Sequence, residues 1–488
     1  MPTAIWWIRR DLRLHDNPAL LASLTHGRVV PLFVLDPALL QGRQHTAAQR
    51  RRDFLFSALT SLNADLEARG SRLTIRIGKP IEVLRDVLAE AGADMIIAGE
   101  DYGPYARRRD GEVQSQLTLR LVAGPTVHHP EAVKKSDGSP YTVFTPFSKA
   151  WLALPRPAAT PVATPPTRIP GPDRAVVSAR LPEAAAPAGF PATEHEARRR
   201  LTLFATGSEA PIDDYRARRD LLAAAGTSTL SPYLRFGLVS ATEAAALATR
   251  RMTTALTPTA FQGAATWLNE LIWREFYQSI LFHFPYVLQT AFNPALRGIV
   301  WRDDPEGLAA WQLGRTGVPV VDAAMRQLNT TGWMHNRARM IVASFLVKDL
   351  LIDWRHGEQW FMDRLVDGDP AANNGGWQWT AGVGTDAAPY FRIFNPILQS
   401  RKYDPTGDYI RRFVPELAAL PDAHIHDPAA LTPIDLGGYG VLLGETYPAP
   451  IVDRAQARAR TLVAYQGART RFDQGGGDRS SAPWTSKE

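Results

Sequence analysis

Ala4-Ile5-Trp6-Trp7-Ile8 is an apolar run that breaks at once into the charged Arg9-Arg10-Asp11. It is too short for a signal peptide, is followed by charge in place of a cleavage site, and has the length of a buried strand. Similar runs follow at Val29 to Leu35, Leu73 to Ile77 and Met95 to Ala98. Each is bounded by Gly, Pro or Asp, and helical patterns such as Ile81 to Ala91 lie between them. That alternation predicts a doubly wound parallel sheet with helices over residues 1–130. No G-x-G-x-x-G follows a strand here, so a nucleotide bound to this half needs another mode than the usual fingerprint.

Residues 131–195 read as a connector between domains, because proline crowds the stretch from Pro155 to Pro191 and resists both helix and central strand. Beyond it the alternation disappears. Apolar positions recur at three- and four-residue spacing, as in Leu268, Leu271, Ile272 and Phe276, or Met340, Ser344, Phe345 and Lys348, which predicts an all-α domain over 196–472. The polar, Gly/Ser-containing segment 473–488 reads as a disordered tail.

A chain of 488 residues has room for two or three domains and a large cofactor. Its 45% hydrophobic and 21% charged residues are those of a globular protein. With no cysteine, disulfides, thiolate metal sites and thiol nucleophiles are excluded, no metal is expected, and the cytoplasm is the expected compartment. The net charge of +6 and pI near 9.5 suit a polyanionic partner, and suit equally a basic protein that binds no nucleic acid.

The densest run of unusual residues is Asp367-Gly368-Asp369-Pro370-Ala371-Ala372-Asn373-Asn374-Gly375-Gly376-Trp377-Gln378-Trp379. By composition alone it also suits a helix start capped by Asp367 or Asp369, with the tryptophans in the core. Further motifs are Ile5 to Asn17, Phe144-Thr145-Pro146-Phe147, Trp267 to Tyr277, Thr331 to Met340, Pro389 to Pro396 and Tyr447 to Val452. In this order they closely resemble the photolyase/cryptochrome family, and within it the class I cyclobutane pyrimidine dimer enzymes.

The resemblance implies an N-terminal α/β antenna domain and a C-terminal helical domain holding FAD, active when reduced. Its FAD contacts fall on Tyr215, Thr227, Ser228, Leu230, Ser231, Trp267, Glu270, Arg274, Asn336, Arg339, Asp367, Asp369 and Asn373, with Arg339 and Asp367 paired. Two features agree independently. Gly226 to Ser231 offers hydroxyls and amides at a helix start, although a plain Ser/Thr cap has the same residues. Trp267, Glu270 and Arg274 share one face of a helix.

The family places Asn373 against the flavin N5, where plant cryptochromes have aspartate and many animal ones cysteine; a neutral amide there favours the reduced flavin. Enzymes for the 6-4 photoproduct carry histidines at the positions of Asn336 and Met340. An amide and a thioether transfer no proton, which suits cyclobutane cleavage by an electron lent and returned. Glu270, Asn336, Met340 and Asn373 are therefore the implied catalytic residues, Glu270 hydrogen-bonding the dimer as a protonated or proton-sharing carboxyl. Trp273 and Trp379 match the aromatic walls around a flipped dimer, and Arg337, Arg392 and Lys402 are candidate phosphate contacts. Trp301, Trp354 and Trp377 match the electron-transfer chain; structural packing accounts for most of the other tryptophans among the 13.

A second, antenna chromophore is expected. Folate-binding members have a glutamate just before the Arg107-Arg108-Arg109-Asp110 stretch, whereas this chain has Tyr105-Ala106, which favours a deazaflavin or a flavin near Asp36, Arg51, Asp101 and Arg235. The resemblance implies UV-damaged DNA as partner and a monomer, without membrane or obligate protein partner. Two rival functions stand beside repair: a signalling photoreceptor, disfavoured by Asn373 and by the short stretch after Val452, and a non-catalytic DNA-binding module.

Overall fold

The computed structural model describes residues 1–40, 48–155, 164–387 and 389–474. Five parallel strands, β1 (Thr3–Ile8), β2 (Arg28–Leu35), β3 (Thr74–Ile77), β4 (Met95–Gly99) and β5 (Leu119–Val122), form a sheet of order β3-β2-β1-β4-β5. All six residues of β1 are buried, as a central parallel strand covered on both faces requires. Its register pairs Ile5 with Val30 on one side and with Ile96 on the other. The fifth strand has no counterpart among the runs expected from the sequence. It is a four-residue edge strand, half-exposed and interrupted by Arg120, so it lacks the unbroken apolar run that marked the interior strands.

The connector is anchored in several places. The Val29 amide donates to Pro170 O at 2.8 Å, the Ala179 amide to Ile75 O at 2.8 Å, and the Ile75 amide to Ser178 Oγ at 2.9 Å. The connector also contains a helix, Phe144–Ala153. Trp151 of that helix donates its indole N–H to the buried Glu275 at 2.7 Å, tying it to the 26-residue helix Pro258–His283.

By contacts the chain divides into two compact units. The first comprises Met1–Arg219, Gly226–Pro285 and Val366–Ala371, so it joins the sheet, the connector and several helices. Within it, Gly237 ends the short helix Ser231–Phe236 with φ +70°, and a Cβ there would lie 1.9 Å from Arg10 O. The second unit comprises Asp220–Ala225, Tyr286–Leu365 and Ala372–Glu488. Its core holds Trp311, Trp354, Phe361, Trp377, Tyr409, Tyr447 and Tyr465. Buried Asp322 there accepts from Thr316 and from the Tyr447 hydroxyl, each at 2.7 Å, so the carboxylate is satisfied inside the core.

The final helix runs Arg454–Gln474; the rest of the expected tail lies outside the described residues, as does part of the proline-rich stretch, 156–163. Among the described residues no helix is long and apolar enough to cross a membrane.

Candidate cofactor and lesion site

In the first unit, Trp267, Glu270 and Arg274 stand on helix Pro258–His283, which starts where the Thr257 side chain accepts from the Ala260 amide at 3.1 Å. Trp267 is buried beside Phe204, with ring centroids 5.2 Å apart. Glu270 is ion-paired to Arg219, whose guanidinium lies 5.5 Å from the Tyr215 ring centre, so the segments bearing Phe204 and residues 215–219 both meet this helix. The Arg274 guanidinium donates to Pro125 O at 2.8 Å and Leu234 O at 3.3 Å. Burial lowers its pKa, while the charge of Asp369 acts to raise it.

Gly226 is required by close approach, since a Cβ there would lie 2.4 Å from Arg218 O. It sets the loop bearing Thr227 and Ser228 directly onto the helix Tyr215–Arg218. Hydroxyls and backbone amides on such a tight loop are donors that fit an anionic diphosphate, the charge FAD carries.

Asp369 joins both readings of its motif. Its Oδ1 accepts from the Ala371 amide at 3.0 Å as a cap of helix Pro370–Ala381, while its Oδ2 lies 2.6 Å from Arg10 and 3.7 Å from Arg235. Arg10 also reaches Asp101, at 3.3 Å. Burial, with the like charges of Arg10 and Arg51, pushes Arg235 down to about 9. Three of the four antenna candidates, Arg51, Asp101 and Arg235, thus belong to one charge network. The fourth, Asp36, accepts instead from the Tyr105 hydroxyl and the Ala38 amide. Arg10, Arg13, Gly99 and Asp101 line a cleft at the carboxyl ends of β1 and β4, where the strand order reverses.

In the second unit, Asn336 and Met340 lie one turn apart on helix Asn336–Ser344, Asn336 exposed and Met340 half-buried. Arg339 donates to Met334 O at 2.9 Å. Arg337 is held by Asp220 at 3.0 Å and packs over the Tyr403 ring at 4.5 Å, with Lys402 at 5.1 Å from the same ring. These two phosphate candidates come together, whereas Arg392 is exposed on a separate segment.

The Asn373 amide donates to the backbone oxygen of Glu358 at 3.0 Å, which orients its Oδ1 as the remaining acceptor. That orientation fits the role expected beside a protonated flavin nitrogen. Asn374 donates to the Glu358 carboxyl at 2.9 Å and to Val287 O at 3.0 Å. Trp379 is half-buried two positions beyond Trp377. Trp377 is buried against Gly357, where a Cβ would lie 2.1 Å from the indole, and its ring neighbours are Phe361 at 5.0 Å and Trp311 at 6.0 Å. Trp301 meets Tyr465 edge-on at 6.1 Å. Buried Trp354 has the Arg355 guanidinium 5.0 Å from its ring centre.

Sequence reasoning missed Trp311, Tyr465 and Glu358. The two aromatics carried no local signal beyond helical spacing. Glu358 lies on the exposed-looking helix Trp354–Arg364, and only the fold shows that burial pushes its carboxyl up to about 7 from the usual 4.5. The native state therefore holds this proton more tightly than the unfolded chain, and stability is lost as pH rises from about 4.5 through about 7. Glu358→Gln is expected to flatten this fall, so that the Tm difference from wild type grows in favour of the variant between acidic and neutral pH. Parallel Tm-against-pH curves for the two proteins would refute the assignment.

Residues 4–167 match the DNA photolyase domain family, and residues 267–467 match the FAD binding domain of DNA photolyase. The chain is 41% identical over 477 residues to a deoxyribodipyrimidine photo-lyase of Agrobacterium fabrum, covering 94% of this chain and 97% of the relative. The fold superimposes on a bacterial class III photolyase from Agrobacterium tumefaciens with TM-score 0.89 at 38% identity, covering 96% of this chain and 98% of the other. An archaeal photolyase from Sulfolobus tokodaii, solved with two FAD molecules, matches with TM-score 0.78 at 29% identity, covering 96% of this chain and all of the other. Matched at both ends and along nearly its whole length, the chain belongs to the photolyase/cryptochrome family.

Proposed function

We propose that the chain is a deoxyribodipyrimidine photo-lyase, which uses light to return cis-syn cyclobutane pyrimidine dimers in DNA to intact bases. The observation that carries this reading is its identity of about 40% to photo-lyases over nearly the full length. When bound, reduced FAD supplies the excited electron. Tyr215, Thr227, Ser228, Leu230, Ser231, Trp267, Glu270, Arg274, Asn336, Arg339, Asp367, Asp369 and Asn373 would hold it, the loop at 227–231 offering donors to its diphosphate and Asn373 an acceptor to its ring nitrogen. Asn336 and Met340 contribute no acid, consistent with a reaction that needs an electron and no proton relay.

Trp273 and Trp379 form the walls for the flipped dimer, and Arg337, Arg392 and Lys402 position the strand through phosphates. Trp301, Trp354 and Trp377 carry electrons inward from the surface. The finer class I assignment belongs to the same proposal, as does a second chromophore near Asp36, Arg51, Asp101 and Arg235, a deazaflavin or flavin in preference to folate because of Ala106. The archaeal relative with two FAD molecules is a precedent for a flavin in that role. The protein acts as a cytoplasmic monomer.

The test uses purified protein and a thymine-dimer oligonucleotide. Intact thymines should return in light and not in the dark. Binding of the oligonucleotide without restoration in light would leave the DNA-binding rival standing and reject repair.

A further inference from the structure

The Phe144-Thr145-Pro146-Phe147 motif has no part in the function described so far. Its first residue is buried and stacks on Trp273 with ring centroids 3.6 Å apart and planes 5° from parallel. Aromatic pairs left to themselves prefer offset or edge-on arrangements, so a face-on stack is imposed by its surroundings. Here the surroundings are identifiable. Phe276, fully buried, packs edge-on against both rings, at 5.8 Å from Phe144 and 5.6 Å from Trp273. Phe147 closes behind it at 5.3 Å. The helix carrying Phe144 is further tied to the helix carrying Trp273 by the Trp151–Glu275 hydrogen bond of 2.7 Å.

The stack has an inner ring and an outer ring. Phe144 is buried, while Trp273 is half-buried and keeps part of its surface exposed. An indole on a helix surface ordinarily samples several rotamers, and a base that stacks on it must first stop that motion. An indole pressed against a fixed phenyl has already lost the freedom.

We propose that Phe144 is a positioning residue for recognition of the pyrimidine dimer: it backs Trp273 and fixes the plane on which the flipped lesion stacks. This rests on reading Trp273 as a lesion wall, and the experiment separates the two ideas. Binding of a thymine-dimer oligonucleotide and of the same undamaged oligonucleotide is measured for wild type, Phe144→Leu, Phe144→Tyr, Trp273→Ala and the Phe144→Leu/Trp273→Ala double variant.

Phe144→Leu should weaken dimer binding by up to about tenfold, with undamaged DNA bound as before and kcat at saturating substrate retained. Phe144→Tyr, which keeps an aromatic face, should restore most of the affinity. In the Trp273→Ala background, Phe144→Leu should cost nothing further, because its effect passes through the indole. If Trp273→Ala weakens dimer binding while Phe144→Leu does not, or if the two losses add in full, the positioning role is overturned and the wall stands. If Trp273→Ala leaves dimer binding unchanged, the wall itself is wrong. Should Phe144→Leu fold poorly, lost dimer affinity in a well-folded Phe144→Tyr would also count against the proposal.

Discussion

Asn373→Asp is expected to leave a protein that no longer keeps its flavin reduced: after chemical reduction and exposure to air, flavin absorbance should return about tenfold faster or more than in wild type. The structure adds a local reason to the family comparison. The Asn373 amide donates to Glu358 O at 3.0 Å, and an aspartate would set a carboxylate oxygen against that carbonyl. Two acceptors facing each other at hydrogen-bond distance repel, so the aspartate must rotate away or take up a proton. Rotation removes the oriented acceptor. An ionised aspartate adds negative charge where the reduced flavin already bears it, and the half-buried Glu358 carboxyl nearby makes a further charge harder to place. Equal reoxidation rates in the two proteins would refute the role given to Asn373.

Gly237→Ala should destabilise the first unit by about 3 kcal/mol or more, a loss visible as a large drop in Tm or as insoluble expression. Two causes combine. The φ of +70° is unfavourable for alanine by about 1–2 kcal/mol. The added carbon would also lie 1.9 Å from Arg10 O and 2.8 Å from the Asp11 Cα, both backbone atoms that no rotamer change can move. Gly237 O accepts from Arg13 at 3.0 Å and the Leu12 amide donates to Phe236 O at 3.2 Å, so this contact docks the loop after β1 onto the helix end. Arg10, which reaches Asp101 and Asp369, would shift with it. A Tm within a degree or so of wild type would show that the loop relaxes more freely than this packing implies.

The interior strands could be read because a parallel strand buried on both faces must be apolar along its whole length, as Ala4 to Ile8 is. The edge strand Leu119–Val122 escaped because its half-exposed residues need no such run. Asn336 and Met340 were singled out by the family resemblance, and only their shared helix face follows from their four-residue spacing. The stack of Phe144 on Trp273 and the contact of Trp377 with Trp311 join segments distant in sequence, and no local pattern encodes them. Glu358 was hidden for a related reason: its burial is a property of the helices that cover it. Asp369 shows the opposite case, a residue read as either helix cap or site, which in the structure caps a helix while pairing with Arg10.

The anchoring of the connector along β3 bears on what that edge of the sheet leaves open to other chains. That strand ends the sheet, and an open edge is a template onto which another chain can add a strand. Ser178 and Ala179 take up the backbone N–H and C=O of its Ile75. A protease nick that frees this stretch would thus release more than a tether, because it would uncover a strand margin to which another chain could pair.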